Sequence, residues 1–487
     1  MTNRIIIHQY IQNQLSRAPS LLRSYVQDES GHQYIARNIF IRLKKMADDF
    51  IKGEREIRIV AIPGLRGVGK TTILAQLFLE LFSKHQSELL YISTDQVTNI
   101  LGTDLKTVLE EYQNILGTSF EELDKKIFIF IDEIHYDKNW PAILKSIYDR
   151  SKNVFVFCTG SSALSLQSTT DLARRVIFEK LYPLNFVEYI LLQTRTLSSK
   201  GKDIQVKFPV KGLKKKLSDA LFNSSSAEDC FSKLKASQKD KNDYWRGIDS
   251  LAVRQYLKFG SMPFVLDIKE ERQMQKLTNE LIDKVVKQDL FEMGGFAVKT
   301  IDKVKNILLM IASADEINLT SMAHNLNGIT VNTLANVFKA LEKAEMLIHV
   351  YPYGSVFKKV RKPSKYCFMS PALRYSLLSI VEGEAAFEKY KGKYLEDIIA
   401  LSLYREYNQR SAAPIFHDSA KGGADFILQR GQKKIVIEVG FGKKDFRQTR
   451  NTLDKVQGDY GLVVSENEEL SCLDNIVRLP LSYFLLI

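Results

Sequence analysis

The chain has 487 residues, of which 45% are hydrophobic and 26% charged, and its formal net charge is +12. This length and composition are typical of an ordinary globular protein with two to four domains, each large enough to bury its own core. The four cysteines are scattered and form no CxxC pair, which argues against a disulfide framework and against a structural zinc site.

The N-terminal residues show no sign of export or of a membrane anchor. The first twenty residues contain too short an apolar run for a signal peptide, and no stretch approaches the roughly 20 apolar residues that a membrane span needs. We therefore expect a cytoplasmic protein without a membrane partner. The excess of Lys and Arg favours a polyanionic partner such as nucleic acid, although solubility alone also explains part of it.

Short apolar runs alternate with amphipathic segments in the first part of the chain. After a helical lead-in (1–55), the runs IRIVAI, ELLYIST, KIFIFID and NVFVFCTG each read as a buried strand. This alternation predicts an α/β fold in which helices cover a parallel sheet over residues 56–192. A helical lid with a Ser- and Lys-rich basic insertion is predicted to follow over residues 193–300.

A phosphate-binding loop follows the first of these strands. Gly64, Gly69, Lys70 and Thr71 satisfy GxxxxGK[ST] between a strand and a helix, the context that makes this P-loop motif specific. Backbone N–H groups and the helix N-terminus would hold the phosphates of ATP, Lys70 would reach the β and γ oxygens, and Thr71 would bind Mg²⁺. The predicted nucleotide-binding residues are Pro63, Gly64, Leu65, Arg66, Gly67, Val68, Gly69, Lys70, Thr71 and Thr72.

Two acids end the third strand, at the sheet edge where open α/β sheets bind ligands. Asp132 is predicted to hold Mg²⁺ and Glu133 to polarise the attacking water, while a solvated strand end is the alternative for the pair taken alone. The next strand ends in Thr159, Ser161 and Ser162, which would contact the γ-phosphate or the water or else form a Gly/Ser turn.

Residues 301–375 have the pattern of a winged helix-turn-helix. Thr330–Leu341 would be the recognition helix, although Asn332, Asn336 and Lys339 make a poor reading face for specific bases. A structural winged helix that does not bind DNA is the alternative. The predicted wing and the chain after it carry a positive stripe of Lys358, Lys359, Arg361, Lys362 and Lys365.

The C-terminal part (386–487) reads as a helix followed by strands that carry acids. This order resembles the PD-(D/E)xK nuclease fold, and the matching positions are Glu396, Asp425 and Glu438. Asp425 and Glu438 would lie at neighbouring positions on paired strands and bind Mg²⁺ or Mn²⁺. Gly440 stands where that fold has its catalytic lysine, so the ammonium is expected from Lys443 or Lys444. A core strand that ends in an acid is the alternative for IVIEVG alone.

Five segments follow one another in the order seen in one group of ATPases: GLRGVGKTT, FIDEIHYDKNW, TGSSAL, RRVIFEKLYPLNFVEYI and YLKFGSMPFVL. The chain thus resembles the bacterial and archaeal AAA+-type ATPases that pair an ATPase core with a nuclease-like C-terminal domain. The resemblance makes Arg174 or Arg175 the candidate arginine finger, and a surface ion pair is the alternative. Trp140 is expected to be a packing anchor.

This resemblance implies an ATP-hydrolysing enzyme that acts on nucleic acid, with DNA favoured, in defence or mobile-element biology. It also implies a homo-oligomer, because such ATPases often complete their sites between subunits. The alternative is a nucleotide-controlled switch or scaffold whose nuclease-like domain is inactive.

Overall fold

The computed structural model describes residues 2–85, 88–160, 172, 174–199, 208–290, 296–326, 328–354, 362–411, 413–442, 445–466 and 469–487. The chain divides into two compact units, Met1–Tyr182 and Pro183–Ile487. Within the described ranges, no helix is long and apolar enough to cross a membrane.

The first unit is built on five strands: β1 (Ile59–Pro63), β2 (Leu89–Ser93), β3 (Ile127–Asp132), β4 (Val154–Gly160) and β5 (Val176–Phe178). They form one parallel sheet in the order β2-β3-β4-β1-β5. Strands β1, β3 and β4 are buried along their whole length, as expected for a parallel sheet covered on both faces. The predicted α/β class with a P-loop parallel sheet is therefore confirmed, and the short β5 is an addition to it.

Helices cover this sheet: α1 (Thr2–Arg23), α2 (Asn38–Lys52), α3 (Lys70–Phe82), α4 (Thr94–Asn99), α5 (Leu105–Leu116) and α6 (Trp140–Arg150), with a 3-10 turn at Ile134–Tyr136. Helix α1 belongs to the core, because Ile7 and Ile11 join its main hydrophobic cluster. Arg4 and His8 each contact the Glu111 carboxylate at 2.8 Å. The segment predicted as a lead-in is thus part of the first unit.

The second unit contains helices α7 (Phe186–Ser199), α8 (Leu213–Asn223), α9 (Ala227–Ala236), α10 (Gln238–Trp245), α11 (Ala252–Gln255), α12 (Glu271–Lys284), α13 (Val298–Ser313), α14 (Leu319–Asn325), α15 (Val331–Lys343), α16 (Pro371–Glu382), α17 (Ala385–Ser411), α18 (Arg447–Val456) and α19 (Leu481–Phe484). It also contains two π-helical turns, at Tyr256–Gly260 and Val285–Asp289, and a 3-10 turn at Pro263–Val265.

The strands of the second unit are β6 (Leu347–Pro352), β7 (Lys365–Phe368), β8 (Ile415–His417), β9 (Phe426–Arg430), β10 (Lys433–Gly440), β11 (Tyr460–Ser465), β12 (Ser471–Leu473) and β13 (Ile476–Pro480). They form a single mixed sheet in the order β12-β13-β11-β10-β9-β8-β6-β7. The pairs β6/β8, β10/β11 and β11/β13 are parallel and the others antiparallel.

The β6–β7 hairpin, which the sequence predicts as a wing, is part of this larger sheet. Strand β6 pairs with β8 through Val350 and Ile415, so its second backbone edge is hydrogen-bonded to the C-terminal strands. Strands β6 and β7 of the predicted winged helix and strands β8 to β13 of the predicted C-terminal domain therefore lie in one continuous sheet.

A buried ion pair contacts β7, an edge strand of this sheet. The Arg374 guanidinium of α16 binds Asp397 of α17 through both carboxylate oxygens, at 2.7 and 2.8 Å. Arg374 also donates to the Ala312 carbonyl at 2.7 Å, and Asp397 accepts from the Phe368 backbone N–H at 2.8 Å. The pair thus joins α13, α16, α17 and β7.

Candidate functional site

The phosphate loop connects β1 to α3 in the first unit. Gly67 and Gly69 have φ angles of 78° and 94°, in the left-handed region that favours glycine. A Cβ on Gly64 would lie 2.3 Å from the Leu181 carbonyl oxygen, so only glycine fits there. Leu65 and Val68 are fully buried and anchor the loop to the core. The backbone therefore has the shape that a phosphate cradle requires.

Lys70 is the first residue of α3, and its ammonium lies over the loop. It donates to the carbonyls of Gly64 and Leu65 at 3.1 and 3.3 Å. It is also 4.0 Å from a carboxylate oxygen of Glu133. The ammonium is thus buried between the loop and the acids that end β3, where the predicted phosphate contacts belong.

Asp132 is the centre of a hydrogen-bond network at the end of β3. Its Oδ2 accepts from the Thr71 hydroxyl at 2.9 Å and from the Tyr91 hydroxyl at 3.3 Å, and its Oδ1 accepts from the Thr159 hydroxyl. Burial and the nearby negative charge of Glu133 raise the pKa of Asp132 to about 6, against the opposing effect of the Thr159 and Thr71 hydroxyl donors and the Lys70 charge. Thr71, Asp132 and Thr159 are therefore brought together, as the sequence predicts.

Glu133 has an unusual backbone conformation for a residue that is not glycine. Its φ angle is 50°, and its N–H donates to the Thr159 hydroxyl at 2.9 Å. Its carboxylate is 3.3 Å from the ring Nδ1 of His135 on the side opposite Lys70. Left-handed strain of this kind clusters at functional sites, because the surrounding contacts must hold it. Here the Glu133 carboxylate lies 4.0 Å from the Lys70 ammonium.

The oxygen atoms at this site fit Mg²⁺. Magnesium in nucleotide sites is held by one or two protein oxygens together with phosphates and water, so a cluster of three acids is not needed. The Thr71 hydroxyl and the Asp132 carboxylate supply two adjacent oxygens. When bound, the ion would neutralise charge on the β- and γ-phosphates.

Arg37 supports the loop in a way that no motif predicts. Its guanidinium donates to the Val68 carbonyl at 3.1 Å and to the Tyr182 carbonyl at 2.9 Å. Arg66 of the loop donates to the Tyr136 hydroxyl at 3.4 Å. These contacts join residues far apart in the sequence, so spacing carries no signal for them.

The two candidate finger residues differ in their surroundings. Arg175 binds both carboxylate oxygens of Asp149, at 2.7 and 3.1 Å, which is the ion pair that the alternative interpretation anticipates. Arg174 is exposed. Trp140 is buried at the start of α6, as expected for a packing anchor. Ser161 and Ser162 lie outside the described residues.

Helices α14 and α15 precede the β6–β7 hairpin in the chain. Thr330 caps α15 by accepting from the Thr333 N–H. Asn332, Asn336 and Lys339 are exposed on α15. Lys358, Lys359 and Arg361 lie outside the described residues.

Lys365, predicted as part of a surface stripe, is instead buried at the start of β7. Its ammonium is 2.7 Å from Glu396 and 2.7 Å from Asp425. Burial alone would lower the pKa of Lys365, but the attraction of Asp425 and Glu396 raises it well above its ordinary value. The prediction of an exposed, phosphate-gripping Lys365 is therefore wrong, because two carboxylates hold the ammonium inside the unit.

Two of the three predicted nuclease acids share this lysine. Asp425 also accepts from the Val439 backbone N–H at 2.9 Å, and Glu438 is buried within β10. Among the described residues, no group of three or more His, Cys, Asp or Glu side chains is placed to hold a metal ion. The predicted metal site at Asp425 and Glu438 is thus not supported, since the Lys365 ammonium already binds Asp425, one of the two predicted ligands. Lys443 and Lys444, the predicted sources of the ammonium, lie outside the described residues.

Two family models match the chain. Residues 56–190 match the model described as AAA domain, and residues 250–384 match a domain of unknown function, DUF8612. The first match covers the parallel sheet, the phosphate loop and the acids that end β3.

The chain is 31% identical to the uncharacterized protein MJ1637 of Methanocaldococcus jannaschii over 99% of this chain and 94% of that protein. It is 23% identical to MJ1544 of the same organism over 81% of this chain and 79% of that protein. Among solved structures, the Aeropyrum pernix ORC1 protein in complex with DNA aligns over 74% of this chain and 96% of that one, at 11% identity. Its TM-score of 0.32 is too low to establish a shared overall fold. The chain therefore belongs to the same family as MJ1637, and its first unit contains an AAA domain with a P-loop.

Proposed function

We propose that the first unit binds ATP with Mg²⁺ and hydrolyses it. The observation that carries the proposal is the hydrogen bond between Thr71 and Asp132, with Lys70 and Glu133 beside it, because it joins the phosphate loop to the acids of β3. Lys70 would bind the β and γ oxygens, while Thr71 and Asp132 would hold Mg²⁺. The loop N–H groups would fix the phosphates.

Glu133 has the role of general base in this proposal. The oxygen of the attacking water forms a bond to the γ-phosphorus as the bond to the β–γ bridging oxygen breaks, and the proton of the water goes to the Glu133 carboxylate. Thr159 orients Glu133 by accepting from its backbone N–H. The test is ATP binding and turnover in Lys70→Ala, with Lys84→Ala as control, because Lys84 is exposed just after the same helix.

We propose a homo-oligomer as part of this function. An arginine finger that acts in a neighbouring copy must be exposed in its own copy. Arg174 meets this condition, whereas Arg175 is bound to Asp149.

Nucleic acid, with DNA first, is the proposed macromolecular partner. The net charge of +12 supports it, and Lys339 is exposed on α15, the helix that would enter a groove. We expect affinity for duplex DNA to fall steeply with salt. Lys339→Ala should weaken binding equally for all sequences and reduce the salt slope by about one.

The measurement for this prediction is fluorescence anisotropy with a labelled duplex and a matched RNA at several salt concentrations. Lys106→Ala, a change to an exposed lysine in the first unit, is the control. Affinity that does not depend on salt, or a Lys339→Ala variant that binds like the control, would contradict the proposal.

For the C-terminal acids there are two candidates, a metal-dependent nuclease and a platform that does not cleave. The contact between Lys365 and the pair Glu396 and Asp425 favours the second, because a protein cation already occupies the space between the carboxylates and compensates one of their two negative charges. With this second candidate, the protein is a nucleotide-controlled switch whose nuclease-like domain serves as a binding platform.

A further inference from the structure

Two acids of the second unit, Glu396 and Asp425, bind the ammonium of a lysine from the same unit. Lys365 of β7 is 7% exposed, and its ammonium bridges Glu396 of α17 and Asp425 just before β9, at 2.7 Å to each. The ammonium also lies 5.1 Å from the centre of the Phe426 ring, so an aromatic face covers one side of it. This lysine comes from a segment about sixty residues before Asp425, outside the motif that the nuclease fold uses.

The oxygens of Asp425 are both engaged. Oδ1 accepts from Lys365 and Oδ2 accepts from the Val439 N–H at 2.9 Å. A divalent ion on the same pair would have to approach these oxygens to roughly 2.0–2.2 Å, and it would then be within repulsive distance of the ammonium. The carboxylate oxygens of this pair therefore fit one ammonium and do not fit a divalent metal ion as well.

We propose that the ammonium of Lys365 takes the place of the divalent metal ion in the nuclease-like domain and closes the pair Glu396–Asp425 to metals. This inference rests on the platform candidate of the proposed function. The bridge then acts as a structural link between β7, α17 and the start of β9. It ties the hairpin that follows the helix-turn-helix to the C-terminal strands.

The proposal also accounts for Gly440. Position 440 is the last residue of β10 and has the same strand parity as Glu438, so its side chain would leave the strand on the face of Glu438. A lysine there would bring a second ammonium toward acids that already hold one. Once Lys365 occupies the pair, a cation at position 440 has no unpaired carboxylate at this pair to bind.

The test measures Mn²⁺ binding to the full-length chain without nucleotide, with electron paramagnetic resonance as the readout. Wild type and Asp425→Asn should bind the same amount of Mn²⁺, so that any Mn²⁺ held near Thr71 and Asp132 cancels in the comparison. Lys365→Met, which removes the cation and keeps the length of the side chain, should gain about one Mn²⁺ per chain. This gain should be lost in Lys365→Met/Asp425→Asn.

Lys362→Met, in the same segment and without a described contact to the acids, is the matched control and should bind Mn²⁺ as wild type does. A wild-type Mn²⁺ site that Asp425→Asn removes would overturn the proposal, as would a folded Lys365→Met that gains no Mn²⁺. Since removal of a buried cation destabilises its partners, Lys365→Met can fail to fold. The comparison of wild type with Asp425→Asn then decides alone.

Cleavage gives an independent readout. Wild type with Mn²⁺ or Mg²⁺ should leave single- and double-stranded DNA and RNA uncut, and cutting that Asp425→Ala and Glu438→Ala abolish would overturn the proposal. ATP hydrolysis measured in the same preparations separates the two claims. If wild type does not hydrolyse ATP, the ATPase proposal is contradicted. The Mn²⁺ result still tests the role of Lys365 in that case.

Discussion

Glutamine in place of Glu133 is expected to leave ATP binding intact and to reduce hydrolysis by about 10²–10⁴-fold. The substitution removes the base that accepts the proton of the water and keeps the shape of the side chain. The contacts that bind the phosphates come from the loop, Lys70 and Thr71, so affinity should persist. Phosphate release and the binding of a fluorescent ATP analogue measure the two effects separately.

Glu110→Gln is the matched control for this variant. Glu110 is exposed on α5, where a carboxylate oxygen lies 3.6 Å from the Lys106 ammonium. Its replacement should change neither binding nor turnover. Hydrolysis at the wild-type rate in Glu133→Gln would remove Glu133 from the role of general base.

Methionine in place of Arg374 is expected to destabilise the second unit by about 3–5 kcal/mol. Arg374 and Asp397 are both buried, with 2% and 0% of their side chains exposed. Loss of the guanidinium leaves an uncompensated carboxylate in the core and a carbonyl of Ala312 without its donor. The double variant Arg374→Met/Asp397→Asn should recover much of the loss, since its amide oxygen still accepts from the Phe368 N–H.

Tryptophan fluorescence during urea unfolding measures this effect. The chain has two tryptophans, Trp140 in the first unit and Trp245 in the second, so a Trp140→Phe background reports on the second unit alone. Arg254→Met is the control, because Arg254 pairs with Glu388 at the surface, and its change should stay within about 0.5 kcal/mol. An Arg374→Met variant as stable as this control would contradict the account.

The first unit could be predicted because its signals are local. The apolar runs of β1 to β4 and the GxxxxGK[ST] loop each lie within a few residues of the chain, and the ends of parallel strands meet at one sheet edge. Thr71, Asp132 and Thr159 therefore come together as expected. Strand β5 has only three residues, too few to show a period, and Arg37 acts through backbone carbonyls that no spacing reveals.

The second unit was harder to predict, because its decisive contacts join distant segments. The sequence around β7 is basic, which favours an exposed wing, yet pairing of β6 with β8 draws the hairpin into the C-terminal sheet. Lys365 is then placed beside acids that come 31 and 60 residues later. The order of the acids in the sequence makes Glu396 and Asp425 candidates for one site, but the lysine that binds both of them is set by tertiary pairing.

ATP turnover by wild type and Lys70→Ala tests the central claim most directly. The measurement is steady-state hydrolysis with Mg²⁺, with and without DNA, alongside equilibrium binding of ATP. We predict that wild type binds and hydrolyses ATP, that Lys84→Ala does the same, and that Lys70→Ala does neither. Hydrolysis in Lys70→Ala at the wild-type rate would contradict the assignment of this loop as the nucleotide site.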